Sequence, residues 1–213
     1  MIDHKTKCIF VHIQRTGGTA IEKLFIKNDM WLSGRPNHKH LLASQAKKLY
    51  KDYWNDYFKF SFVRDPWSRT VSMLQFENQF KIFKKNHKIY NLKEFVNLHT
   101  VNNTDILLEN DYRFSIRETL FNKEKHIKNQ IYLNILDEEL DFIGKYENIE
   151  NDVKFILEKN NLKCELGFFF KKPTISYEDY FTEETKQQIN DLYENDIKFF
   201  NYSFGDGKLL TRY

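Results

Sequence analysis

The chain repeatedly runs an apolar stretch into a polar turn and out again into helical spacing, and this repetition limits the folds open to it. In IFVHIQRTGGTAIEKLF, Ile9 to Phe25, the β-rich run begun at Lys7 ends at Ile13. A Gln-Arg-Thr-Gly-Gly turn follows, and helical periodicity resumes through Ile21, Leu24 and Phe25. Tyr57 to Val63 (YFKFSFV) repeats the scheme: Arg64-Asp65-Pro66 halts the run, with Asp65 able to cap and proline suited to the first turn of a helix from Trp67 towards Phe83. Leu140 to Tyr146, followed by Ile149 to Asn160, predicts a third strand and helix. Strands alternating with helices predict an α/β fold, a central mainly parallel sheet flanked by helices, with ligands beyond the carboxyl ends of the strands.

Between these units the signals are weaker. Asn28 to Lys39 reads as an irregular loop, Leu41 to Tyr53 as a helix and Asn91 to Leu98 as a short helix, while Asn102 to Asn129 reads as a variable insertion. Thr182 to Phe200 predicts one closing helix with Thr182 as its N-cap. A length of 213 residues fits a single domain over 1–213. A net charge of +3 is too slight to imply nucleic-acid binding, and the basic run Lys81 to Lys88 reads as a solvated helix face or lip. Neither a signal peptide nor a membrane span is encoded. The two cysteines, Cys8 and Cys164, lack metal-like spacing, and Cys8 reads as a buried thiol. A reducing, cytoplasmic setting is expected. Oligomeric state is not written in the sequence.

Three segments carry residue types suited to chemistry. In Gln14 to Thr19, main-chain N–H groups between strand and helix suit an anion, and Arg15, Thr16, Gly17, Gly18 and Thr19 complete a candidate cradle. A bare Gly-Gly is equally compatible with a structural turn. The lysine of a nucleoside-triphosphate loop is missing, because Thr19 and Ala20 follow the glycines. In Ser61 to Ser72, Arg64 leaves a strand while Arg69 and Ser72 lie one and two turns into the next helix, a set able to converge on one phosphate. The alternative, that Arg64 and Arg69 only neutralise Asp65 and Glu77, stays open. In Arg35 to Ser44, His38 and His40 form a His-x-His pair able to exchange protons near neutrality. His4, His12, His87, His99 and His126 read as scattered, and the pair lacks a third ligand, so no metal is expected.

Taken in order, IFVHIQRTGGTAIEKLF, FSFVRDPWSRTVS, FIGKYENIENDVKFIL and FTEETKQQINDLYENDIKFFNYSF resemble the sulfotransferases that use 3′-phosphoadenosine-5′-phosphosulfate (PAPS). The likeness is to the carbohydrate-type group, sulfotransferase family 2, which includes heparan 2-O- and 6-O-sulfotransferases and bacterial relatives. It runs from Lys7 to about Phe204 and is weak between about Phe83 and Asn129. The resemblance implies a P-loop-like single domain in which Arg15, Thr16, Gly17, Gly18 and Thr19 hold the 5′-phosphosulfate. Arg64 with Ser72, and Arg69 beside them, would hold the 3′-phosphate of PAPS and of its product PAP. It implies His40 as the base that deprotonates a carbohydrate hydroxyl, with His38 as helper or substrate contact. Gln14 and Arg15 replace the Pro-Lys of the common Pro-Lys-Thr-Gly-Gly-Thr form, and arginine substitutes a planar fork for a compact ammonium.

Other residues enter as rivals or supports. Glu22 is the rival base, against the plainer reading of a solvent-facing helix glutamate. Tyr146 reads as packing, and Lys171 and Lys172 as candidates to fold over the nucleotide or as a solvated pair. A small-molecule kinase would require Gly-Lys-Ser/Thr and an acidic magnesium ligand. A PAP- or sulfated-glycan-binding module without turnover would keep the cradle and lose the chemistry.

Overall fold

The computed structural model describes residues 1–24, 40–83, 89–101, 131–162, 174–207 and 209–210. They divide into two compact units, Met1–Arg64 with Tyr132–Pro173 and Asp65–Ile131 with Thr174–Tyr213.

The first unit is built on a four-stranded sheet in the order β1-β2-β3-β4: β1 (Ile2–Asp3), β2 (Cys8–Val11), β3 (Phe58–Val63) and β4 (Phe142–Lys145). β2, β3 and β4 run parallel, with Phe10 opposite Phe60 and Ser61 opposite Ile143. β1 pairs antiparallel with β2, Ile2 against Ile9, so the sheet is mixed. Strand alternation sends Cys8 and Phe10 of β2, with Phe60 and Phe62 of β3, to one face. Ile21 of α1 (Gly18–Leu24) joins them in one apolar cluster. Ile149, Val153, Ile156 and Leu157 of the helix Ile149–Lys159 complete it. Cys8 is fully buried, as expected, and burial pushes its thiol up to about 11. α2 is shorter than its apolar spacing suggests, Ala43–Leu49, because the chain passes from Tyr50 into turns closed by Tyr53 N–H to Tyr50 O and Tyr57 N–H to Tyr53 O. Asp137 accepts the Ser44 amide at 2.8 Å and its hydroxyl at 2.6 Å, supplying α2 with a cap from a distant segment.

The second unit contains α3 (Pro66–Phe83), α4 (Leu92–Val101), and a pair of closing helices. Thr182 caps the first of these, Glu183–Leu192: its hydroxyl accepts from Thr185 N–H at 3.2 Å, and Thr185 Oγ1 accepts from Thr182 N–H at 3.0 Å. The expected single helix is broken at Tyr193, whose φ of −109° and ψ of 20° leave helical geometry before Glu194–Phe200 begins. Each segment buries its own side, Ile189 and Tyr193 in the first, Asp196 and Phe200 in the second. β5 (Thr174–Ile175) and β6 (Leu209–Leu210) form a small antiparallel pair. The insertion read over Asn102 to Asn129, the loop Asn28 to Lys39, Cys164, Lys171 and Lys172 lie outside the described residues. No described helix is long and apolar enough to cross a membrane.

Candidate active site

The first loop leaves β2 on the core face. His12 continues the row Cys8, Phe10 at period two, and its ring stacks on Phe10 with centroids 5.2 Å apart. Two residues later the chain reverses. Arg15 has φ 65° and Gly17 has φ 88°, left-handed values that suit glycine and are uncommon for arginine. Thr16 is completely buried and its hydroxyl donates to Ile13 O at 2.9 Å, so its proton shapes the loop. Thr19 is exposed on the first turn of α1.

The two glycines are required for different reasons. A Cβ at Gly17 would press on Ile149 Cδ1 at 2.6 Å and on the Tyr146 ring at 2.9 Å. A Cβ at Gly18 would occupy the position of the His12 ring itself. One turn beyond Gly18, on the same side of α1, Glu22 reaches the ring: His12 Nδ1 and Glu22 Oε1 are 2.7 Å apart. Both side chains are buried. Two plain readings are thereby overturned, since Glu22 does not face solvent and His12 is not scattered.

His40 completes the cluster. Its Nδ1 lies 3.0 Å from His12 O, and the two imidazole centroids are 4.4 Å apart at 52°. A carbonyl only accepts, so Nδ1 of His40 carries the hydrogen and the neutral ring holds its lone pair on Nε2. His40 also has a left-handed backbone, φ 57°, a strained conformation of the kind that collects at functional sites. Its partner in the sequence pair, His38, lies outside the described residues. Among the described residues no three His, Cys, Asp or Glu side chains are grouped to hold a metal ion.

Arg64 is also tied to the loop. The guanidinium donates from Nη1 to Arg15 O at 3.2 Å and stacks over the Tyr146 ring at 4.2 Å. Tyr146 therefore does more than pack: its ring lies on Gly17 and under Arg64. Burial, opposed by the Arg64 charge and assisted by Glu147, raises the phenol's pKa and keeps it protonated. The backbone of Arg64 is held by Tyr132 of the short helix Tyr132–Ile135, whose hydroxyl donates to Arg64 O at 2.5 Å and accepts from Arg64 N–H at 3.3 Å.

In the second unit, Arg69 and Ser72 lie three residues apart on α3, almost completely buried. Asp65, also buried, caps that helix by accepting Ser68 N–H at 2.8 Å, and its other oxygen accepts Tyr177 O–H at 2.6 Å and Gly207 N–H at 2.8 Å. The carboxylate is thus engaged by main chain and phenol. The Glu77 side chain lies outside the described ones.

A model of the sulfotransferase family matches residues 1–203 of the 213. The chain belongs to the sulfotransferase family. Comparison with curated proteins and with solved structures finds no match for it. As a sulfotransferase it moves a sulfuryl group, and that reaction takes a hydroxyl-bearing acceptor. The residue that sequence reasoning missed around its first loop, His12, and its contact with Glu22, named there only as a rival base, carry a signal in the sequence: His12 extends the core-facing alternation of β2, and Gly18 and Glu22 are spaced i, i+4 on one helix side.

Proposed function

We propose that this sulfotransferase moves the sulfuryl group of PAPS to a carbohydrate hydroxyl, with His40 as general base. The observation that carries the reading is the position of His40 against the root of the first loop, Nδ1 on the His12 carbonyl and the lone pair on Nε2. Geometry of that kind suits a group that takes a proton beside an anion-binding turn. The donor set also suits a phosphosulfate: a P-loop-like turn with left-handed Arg15 and Gly17, and the Arg64 guanidinium bonded to the Arg15 carbonyl.

PAPS supplies the activated sulfuryl group and a phosphate leaving group. His40 Nε2 takes the acceptor's hydroxyl proton as the acceptor oxygen bonds to sulfur and the sulfur–phosphate oxygen bond breaks. Arg15 with the amides of Thr16, Gly17, Gly18 and Thr19 stabilises the charge that appears on the departing phosphate oxygen. Arg64, Arg69 and Ser72 hold the 3′-phosphate in this reading, and residues 1–213 act as one domain, supported by a family match that includes residues from both units. The carbohydrate acceptor and the helper role of His38 rest on the resemblance of the Arg35 to Ser44 segment.

Calorimetry with PAP and with magnesium-ATP side by side tests the donor. PAP is expected to bind and ATP to bind more weakly or not at all; tighter binding of magnesium-ATP refutes the proposal. PAP binding without sulfuryl transfer to any of a panel of glycans would leave a binding module.

A further inference from the structure

We infer that His12, held by Glu22, is the positioning residue of His40 and makes Nε2 of His40 the nitrogen that faces the acceptor's proton. The inference rests on the reading of His40 as the general base and adds what orients it. His12 meets His40 twice, through its carbonyl at 3.0 Å and through its ring at a centroid distance of 4.4 Å. The carbonyl selects the tautomer, and the ring forms a wall that limits how the His40 imidazole can turn.

That wall is restrained on three sides. Phe10 stacks on the His12 ring at 15°, Gly18 closes over it, and Glu22 Oε1 holds Nδ1 at 2.7 Å. A phenylalanine at position 12 would supply the same face without the close contact to the Glu22 carboxylate that restrains the ring. Glu22 and His12 are both largely withdrawn from water, so releasing their contact leaves two buried polar groups to find other partners. The restraint therefore has a high cost of failure, as orientation of a reacting group requires, because misplacement by about 1 Å can lower a rate about a hundredfold.

The test uses the full chain labelled with 15N-histidine, with nitrogen spectra at pH 8 and kinetics in parallel. In the wild type, His40 is expected to show a protonated Nδ1 and a lone-pair Nε2, and His12 a protonated Nδ1. Glu22→Ala is expected to lower kcat about tenfold or more while KM and the Kd for PAP stay within about twofold. Glu22→Gln keeps an oxygen acceptor and should restore kcat to within about threefold of wild type, with the His40 nitrogen pattern unchanged. His12→Phe serves as a second variant should Glu22→Ala fail to fold; it keeps the carbonyl, so the His40 tautomer is expected to be unchanged while kcat falls. A wild-type His40 with its hydrogen on Nε2 overturns the inference, as does a loss of PAP affinity as large as the loss of kcat, which would assign the pair to the loop. Wild-type protein that binds no PAP overturns the donor reading and the proton-accepting role, whereas the His40 nitrogen pattern of the wild type still decides the positioning.

Discussion

Two buried polar networks in this sulfotransferase differ in how their groups are matched. Around Asp65, the carboxylate accepts from an amide of its own helix, from the Gly207 amide and from the Tyr177 phenol, which in turn accepts Gly205 N–H at 2.7 Å. Burial, then the Asp65 charge and hydrogen bond, raises the Tyr177 pKa, so it remains a donor throughout the physiological range. Around His12, by contrast, the partners are the Glu22 carboxylate and a second imidazole. The first arrangement fixes structure; the second sets two imidazoles and a carboxylate beside a turn with left-handed Arg15 and Gly17. Low-dielectric surroundings make both expensive to disrupt, but only the second should report its disruption in rate more than in stability.

The sharpest way to break this contrast is His40→Ala. It should lower sulfuryl transfer by about 10² to 10⁴-fold and leave PAP affinity nearly unchanged, by steady-state kinetics and calorimetry; a large affinity loss would move His40 into the donor site. Asp65→Ala should act in the opposite sense, costing about 3 kcal/mol in urea unfolding, because it strands two amides and a phenol in the interior. If that variant unfolds like wild type, the network around Asp65 is not structural. Gly18→Ala should fall between the two, losing about 1–3 kcal/mol and some turnover, since the added methyl displaces the His12 ring; unchanged stability and rate would refute the close packing.

The smallest effect belongs to Cys8. Its folded-state pKa is raised from 9.0 to about 11, so the stability contributed by the neutral thiol is complete below pH about 9 and is lost as pH rises through 11. Comparing unfolding of wild type and Cys8→Ala over pH 7 to 11 should show the two free energies converging only above pH 9. Convergence at neutral pH would contradict the burial.

Much of the frame is legible in the sequence because it is local. β3 stops at Val63 where Arg64-Asp65-Pro66 begins, and Thr182 caps its helix through a residue only three positions on. β1 is not legible: two residues, Ile2 and Asp3, acquire strand geometry only from pairing with Ile9 and Cys8. The break at Tyr193 is likewise hidden, because the apolar spacing continues across it while the backbone turns. The site divides along the same line. Arg15, the glycines and His40 can be named from residue type and place, but the contact between His12 and Glu22 joins a residue that follows β2 to a helix position and becomes visible only when alternation and helical spacing are projected onto each other.

The Tyr132 hydroxyl has a consequence for how the sheet ends. Past Val63 the backbone N–H and C=O of Arg64 would ordinarily look to a neighbouring chain, and a single phenolic oxygen serves both. It behaves as a strand one atom long. The ladder can therefore close at Val63 without leaving those two groups to water, and the arginine is released at a defined point with its main chain already satisfied.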